Sequence, residues 1–146
     1  MPFMTVPTVF VDTKVLIYAH DLDSGEKHDE AAKLILSAWN EEVRPVISVQ
    51  VLQELAVNLL RKLDSADEAI RTIIDYSVWK VIETDTALVV RGTEVMKRYK
   101  LSWWDSMIVA AAEKADADIL WTEDLNDGQQ FGKLKVVNPL KQAGLG

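Results

Sequence analysis

The chain has 146 residues, 49% hydrophobic and 27% charged, enough for one domain with its own core. Its net charge of −7 argues against a protein that grips nucleic acid through a broad basic face. Cysteine is absent, which excludes disulfides, thiolate metal sites and cysteine nucleophiles, and fits a reducing cytoplasm.

No apolar run reaches the roughly eighteen residues that a membrane helix needs, so none is expected. Met1-Pro2-Phe3-Met4-Thr5 lacks the basic-then-apolar pattern of a signal peptide. With 2 His against 23 acids, any metal would be held by oxygen. That donor chemistry suits Mg²⁺ or Mn²⁺ and not zinc.

Val9-Phe10-Val11 is a continuous apolar run and predicts a buried central strand. Asp12 ends it, and a helix through about Ala19 follows at once. Asp is a preferred N-cap, so Asp12 has a purely structural reading. It also stands at a strand's carboxyl end, where open parallel sheets collect their ligands. Residues 21–29 are polar and acidic. They fail as a calcium loop, because the glycine is one place early and Ala32 stands where the terminal Glu belongs. They read as a solvated loop, with His20 and His28 as exposed or capping residues.

Ala31, Leu34, Ile35 and Ala38 have helical spacing and predict a helix over 28–40. A second strand spans 45–48, with Pro45 tolerated at its start. Residues 49–62 give the clearest helix. Leu52, Leu55, Ala56, Leu59, Leu60 and Leu63 form its apolar stripe. Gln50, Glu54, Asn58 and Arg61 fall on the other face. Glu54 stands roughly 9 Å along that axis from the strand end, near the same sheet edge as Asp12.

Ser65 and Glu68 form a capping box that opens a helix to about Tyr76. Residues 78–82 predict a third strand. Thr84 or Asp85 caps a helix through Tyr99, whose late Arg91, Lys97, Arg98 and Lys100 read as a solvated basic face in preference to an RNA contact. Ser102 and Asp105 form a second capping box. It opens the nearly all-apolar helix of Met107-Ile108-Val109-Ala110-Ala111-Ala112. Ile119-Leu120-Trp121 is a fourth strand, followed by the turn-forming Thr122-Glu123-Asp124-Leu125-Asn126-Asp127-Gly128. A last strand over 133–137 is expected at the sheet edge. The alternation predicts a three-layer α/β/α sandwich with a mostly parallel sheet of four or five strands, as one domain over 1–146.

Asp12, Glu54, Asp105 and Asp124 each have a bland explanation. Together they follow strand ends or open the helix leading to one. Four carboxylates in one cleft repel, and a divalent cation offsets that cost. Two such ions can clamp the attacking and leaving oxygens of a phosphodiester displacement.

Val9-Phe10-Val11-Asp12-Thr13, Ser48-Val49-Gln50-Val51-Leu52-Gln53-Glu54, Trp104-Asp105-Ser106-Met107-Ile108-Val109 and Thr122-Glu123-Asp124-Leu125 resemble, in order, the motifs of PIN-domain nucleases. The nearest likeness is to the VapC-type toxins of bacterial toxin–antitoxin pairs, and it spans essentially the whole chain. The resemblance implies a cytoplasmic, Mg²⁺- or Mn²⁺-dependent endoribonuclease with Asp12, Glu54, Asp105 and Asp124 as its acids. Asp12 and Asp105 would hold the primary metal, and Glu54 and Asp124 would complete the site. Thr122 and Asn58 are expected to support the acids or touch substrate. A homodimer and a small protein antitoxin are also implied. Glu123 and Asp127 flank Asp124 and compete for its place.

Two other readings stand beside this one. A catalytically silent adaptor could keep the fold. An aspartyl-phosphate phosphotransfer enzyme needs a second Asp two residues after Asp12, where Lys14 stands.

Overall fold

The computed structural model describes residues 5–140. Residues 1–4, which carry most of the N-terminal stretch read above for a signal peptide, lie outside that range, as do 141–146.

Strand β1 (Thr8–Val11) lies in the middle of the sheet. Val9, Phe10 and Val11 are each fully buried, so both faces of the strand are covered. Removing a ring as enclosed as Phe10 costs about 3–5 kcal/mol. Helix α1 (Thr13–His20) follows directly, and a short 3₁₀ turn over Leu22–Ser24 leads into α2 (Glu26–Trp39). That turn lies within the segment read as a solvated loop. Strand β2 (Arg44–Ser48) pairs parallel with β1, placing Val9 beside Pro45.

Ser48 caps α3 (Val49–Lys62) by accepting from the Val51 N–H. Helix α4 (Ala66–Tyr76) starts after Ser65 as its sequence predicts, but Ser65 makes no side-chain capping bond. Strand β3 (Lys80–Ile82) pairs parallel with β2 and is shorter at its start than the expected 78–82. Asp85, not Thr84, caps α5 (Thr86–Tyr99), accepting from the Leu88 N–H at 2.9 Å. Ser102 caps α6 (Trp103–Lys114). Residues 106–112 of α6 are all buried, as an all-apolar helix should be. Gly92 of α5 lies against α6, where a Cβ would overlap Met107 Sδ.

Strand β4 (Ile119–Trp121) pairs parallel with the other side of β1. Strand β6 (Leu134–Val137) pairs parallel with β4. Strand β5 (Gln130–Phe131) pairs antiparallel with β6 and takes the edge expected for 133–137. The order β3-β2-β1-β4-β6-β5 is a six-stranded, mostly parallel sheet. Two residues are too short a run to show a strand's alternation, which is why β5 escapes the pattern.

Each crossover from β1 to β4 carries two helices, and α1 packs on α2, α3 on α4, and α5 on α6. From β1 the chain first builds outward through β2 and β3, then returns to the other side at β4. The crevice between β1 and β4 is therefore the switch point, and Asp12 and Thr122 leave its two strands. Among the described residues no helix is long and apolar enough to cross a membrane.

Candidate active site

Asp12 is both a cap and a member of an acidic cleft. As the N-cap of α1 it accepts from the Thr13 N–H through Oδ1 at 2.7 Å. Its other oxygen, Oδ2, accepts from Thr122 Oγ1 at 2.7 Å. The residue is only 8% exposed. Burial pushes its carboxyl up from 3.8 to about 6. The hydrogen bonds from Thr122 and Thr13 oppose that rise, while the charges of Asp124 and Glu54 add to it.

Thr122 is 1% exposed, and its hydroxyl is used in both directions. It donates to Asp12 and accepts from the Asp124 N–H at 3.1 Å. One buried hydroxyl thus ties the first acid to the backbone of the last.

Glu54 projects from α3. Its Oε1 accepts from Gln50 Nε2 at 3.0 Å, one helical turn earlier, and from Thr13 Oγ1 at 3.3 Å. Thr13 therefore bears on two acids, on Asp12 through its N–H and on Glu54 through its hydroxyl. Asp124 Oδ1 meets Lys14 Nζ at 2.7 Å.

Asp12, Thr13, Lys14, Glu54 and Asp124 share one cleft of about 440 Å³. Its lining includes Asp12, Glu54 and Asp124, the cations Lys14 and Arg61, and Asn58. Asp105 stands in the first turn of α6, where its N–H donates to Ser102 Oγ at 3.2 Å. It is not among the residues lining the cleft.

Asp124 is separated from its two acidic neighbours by their partners. Glu123 accepts from the Tyr18 hydroxyl and pairs with Lys27 Nζ at 3.1 Å. Burial pushes the Glu123 carboxyl up, but those two partners outweigh it and hold the group below its ordinary value. Asp127 accepts from the Asn138 N–H at 2.9 Å. Asp124 alone of the three lines the cleft.

Sequence reasoning missed Lys14 as a cleft residue, the Thr13 hydroxyl and the support of Glu54 by Gln50. Only the last had a usable signal, the four-residue helical spacing of Gln50 and Glu54. The late basic segment of α5 is partly neutralised. Arg91 forks onto both oxygens of Glu113 at 2.8 and 2.9 Å and reaches Glu94 at 2.7 Å.

The donor set is all oxygen, which suits a hard divalent ion. Among the described residues no three His, Asp or Glu side chains are grouped closely enough to enclose one. Mg²⁺ keeps several waters and needs only one or two carboxylates, so Asp12 and Glu54, flanking Thr13, fit a hydrated ion.

The sequence model of the PIN domain family matches residues 9–130. Among solved structures, a toxin–antitoxin complex from Klebsiella pneumoniae is similar over 90% of this chain and 97% of its own, at 27% identity and TM-score 0.67. The Mycobacterium tuberculosis sarcin–ricin-loop-cleaving toxin VapC20 covers 87% and 98%, at 19% identity and TM-score 0.65. DNA-bound VapBC from Salmonella typhimurium covers 90% and 97%, at 16% identity and TM-score 0.61. The last two likenesses show a shared fold. No curated protein sequence matches the chain.

Proposed function

Because the chain belongs to the PIN domain family, we propose that it is a Mg²⁺- or Mn²⁺-dependent endoribonuclease, and the toxin of a toxin–antitoxin pair. The observation that carries this reading is the convergence of Asp12, Glu54 and Asp124 on one cleft at the switch point of the sheet. Similarity to a toxin–antitoxin complex over nearly the whole of both chains supports the toxin assignment.

Asp12 is the anchoring acid, fixed by Thr122 and by the helix it caps. Asp12 with Asp105 would hold the ion, and Glu54 and Asp124 would complete the site. The assignment of Asp105 rests on the motif resemblance, since it does not line the cleft. A bound Mg²⁺ or Mn²⁺ supplies Lewis acidity toward phosphoryl oxygen and makes water more acidic. Glu54, exposed and braced by Gln50 and Thr13, orients the attacking water. Thr122 keeps the Asp12 carboxylate aimed, and Asn58 faces the substrate.

The substrate in this reading is a structured RNA with an unstacked loop. The similar structure from M. tuberculosis is a sarcin–ricin-loop-cleaving toxin. An acidic chain lacks the long-range pull that drives indiscriminate phosphate binding, so it depends on local fit.

An antitoxin is the proposed partner. Its support is the complexes among the similar structures, and an apolar groove between α3 and α4 lined by Leu60, Ala69, Ile70 and Ile73. A homodimer and a cytoplasmic location belong to the same reading, as does a single domain over 1–146. Trp104 is 65% exposed and is a large apolar side chain that a second copy would cover.

The catalytically silent adaptor is the second reading, favoured by the Lys14 ammonium seated on Asp124. Incubating the protein with folded RNAs in Mg²⁺, in Mn²⁺ and in chelator separates the two. Discrete fragments with metal and none in chelator support the enzyme. Intact RNA in all three supports the adaptor.

A further inference from the structure

Two cations line the acidic cleft, and they are differently employed. Lys14 is held by Asp124 at 2.7 Å. Arg61 is exposed and makes no ion pair or side-chain hydrogen bond among the described residues. Its neighbour Lys62 is turned away, paired with Asp21 at 2.9 Å. The basic segment of α5 lies elsewhere, and its Arg91 is committed to Glu113 and Glu94.

Helix geometry places Arg61 relative to the acids. Glu54, Asn58 and Arg61 recur at steps of four and three along α3, so they form one row facing the cleft. Arg61 stands roughly 10 Å along the axis from Glu54. That is too far to act on a phosphate held at the acids, and suits a different phosphate of the same strand. Val57, between Asn58 and the acids' side of the row, also lines the cleft and is 55% exposed, giving a base an apolar surface to lie against.

We infer that Arg61 is a positioning residue, which anchors a backbone phosphate of the substrate strand away from the scissile one. The inference rests on the ribonuclease reading. An unpaired guanidinium presents a planar fork of donors to phosphate, and a cleft otherwise rich in carboxylates needs one such group to hold a polyanion. Lys14 does not serve this end while Asp124 neutralises it.

The test measures binding apart from cleavage. A fluorescein-labelled RNA stem-loop is titrated into the Asp12→Asn protein over a range of salt concentrations. The same is done with Arg61→Ala, Arg61→Lys and, as an off-cleft control, Arg71→Ala added to it. Arg61→Ala should weaken binding about tenfold. It should also lower the slope of log K against log salt by about 0.7, the loss of one phosphate contact to a single strand. Arg61→Lys should keep the slope, and Arg71→Ala should change neither. Melting temperatures report whether each variant is folded. An unchanged affinity and slope in folded Arg61→Ala, with the unmutated protein still cutting RNA, overturns the anchor and leaves the enzyme standing. If the unmutated protein neither binds nor cuts RNA, the ribonuclease reading falls and takes the anchor with it.

Discussion

Thr122 Oγ1 donates to Asp12 Oδ2 across 2.7 Å, joining the residues that follow two adjacent parallel strands 110 positions apart. Both partners are largely buried, Thr122 at 1% and Asp12 at 8% exposed, so little water is at hand to replace the bond. Thr122→Val keeps the shape and removes the hydroxyl. It should cost about 1–3 kcal/mol, because a buried carboxylate loses a donor and the Asp124 N–H loses its acceptor. The Asp12 carboxyl should rise further, since this bond is what most strongly lowers it. Denaturant melts of both single variants and of Thr122→Val/Asp12→Asn would show coupling between the two sites. Additive effects would mean that the bond contributes nothing.

Burial of Asp12 makes a pH prediction with a definite sign. Its carboxyl is raised from 3.8 to about 6, so the folded protein binds this proton more tightly than the unfolded chain does. The resulting stability is complete below about pH 4 and is lost as pH rises through about 6. By neutral pH the ionised group costs about 3 kcal/mol. In chelator, Asp12→Asn should therefore melt several degrees above the parent at pH 7 and near it at pH 4. Asn can still cap α1, so the comparison isolates the charge. A variant less stable than the parent at pH 7 would contradict this.

If Asp124 helps hold the proposed ion, Lys14 competes with that ion for it. The ammonium occupies one carboxylate oxygen at 2.7 Å and repels any cation brought into the cleft. Lys14→Met should raise Mn²⁺ affinity several-fold in calorimetric titration, and Asp12→Asn should lower it. The change in fold stability should stay below about 1 kcal/mol, since the pair is partly exposed. Equal Mn²⁺ affinity in parent and Lys14→Met would show that Asp124 takes no part in holding the ion.

If the proposed antitoxin docks in the groove between α3 and α4, a variant there should separate neutralisation from catalysis. Ile70 lines it and is 51% exposed, so Ile70→Glu should leave the fold intact. It should weaken capture of the antitoxin at least tenfold while RNA cleavage is unchanged. Co-purification of the pair and cleavage by the isolated protein read the two effects separately. Full antitoxin binding by Ile70→Glu would move the partner to another face.

Much of this was legible in the chain because the informative signals were local. Three apolar residues ending in Asp12 required a strand covered on both faces, and the run 107–112 required an enclosed helix. Caps at Asp12, Asp85 and Ser102 sit beside the N–H groups they serve. What escaped was set by long-range partners. Which of Glu123, Asp124 and Asp127 faces the cleft depends on Tyr18, Lys27, Lys14 and Asn138, and no spacing rule reaches them. Lys14 read as a residue that excluded one chemistry. Only folding brings it onto Asp124, 110 positions away. The four acids read as one group; Asp12, Glu54 and Asp124 line the cleft, and Asp105 is not among its lining residues.

The central claim is that this cleft cuts RNA, and the most direct measurement is of RNA ends in cells. The protein, Asp12→Asn and Asp105→Ala are each expressed briefly without an antitoxin, and newly formed RNA ends are sequenced. The account predicts growth arrest and a few discrete new ends with the parent, and neither with Asp12→Asn or Asp105→Ala at equal protein level. Growth arrest that persists in Asp12→Asn, with no new ends in any strain, would contradict it.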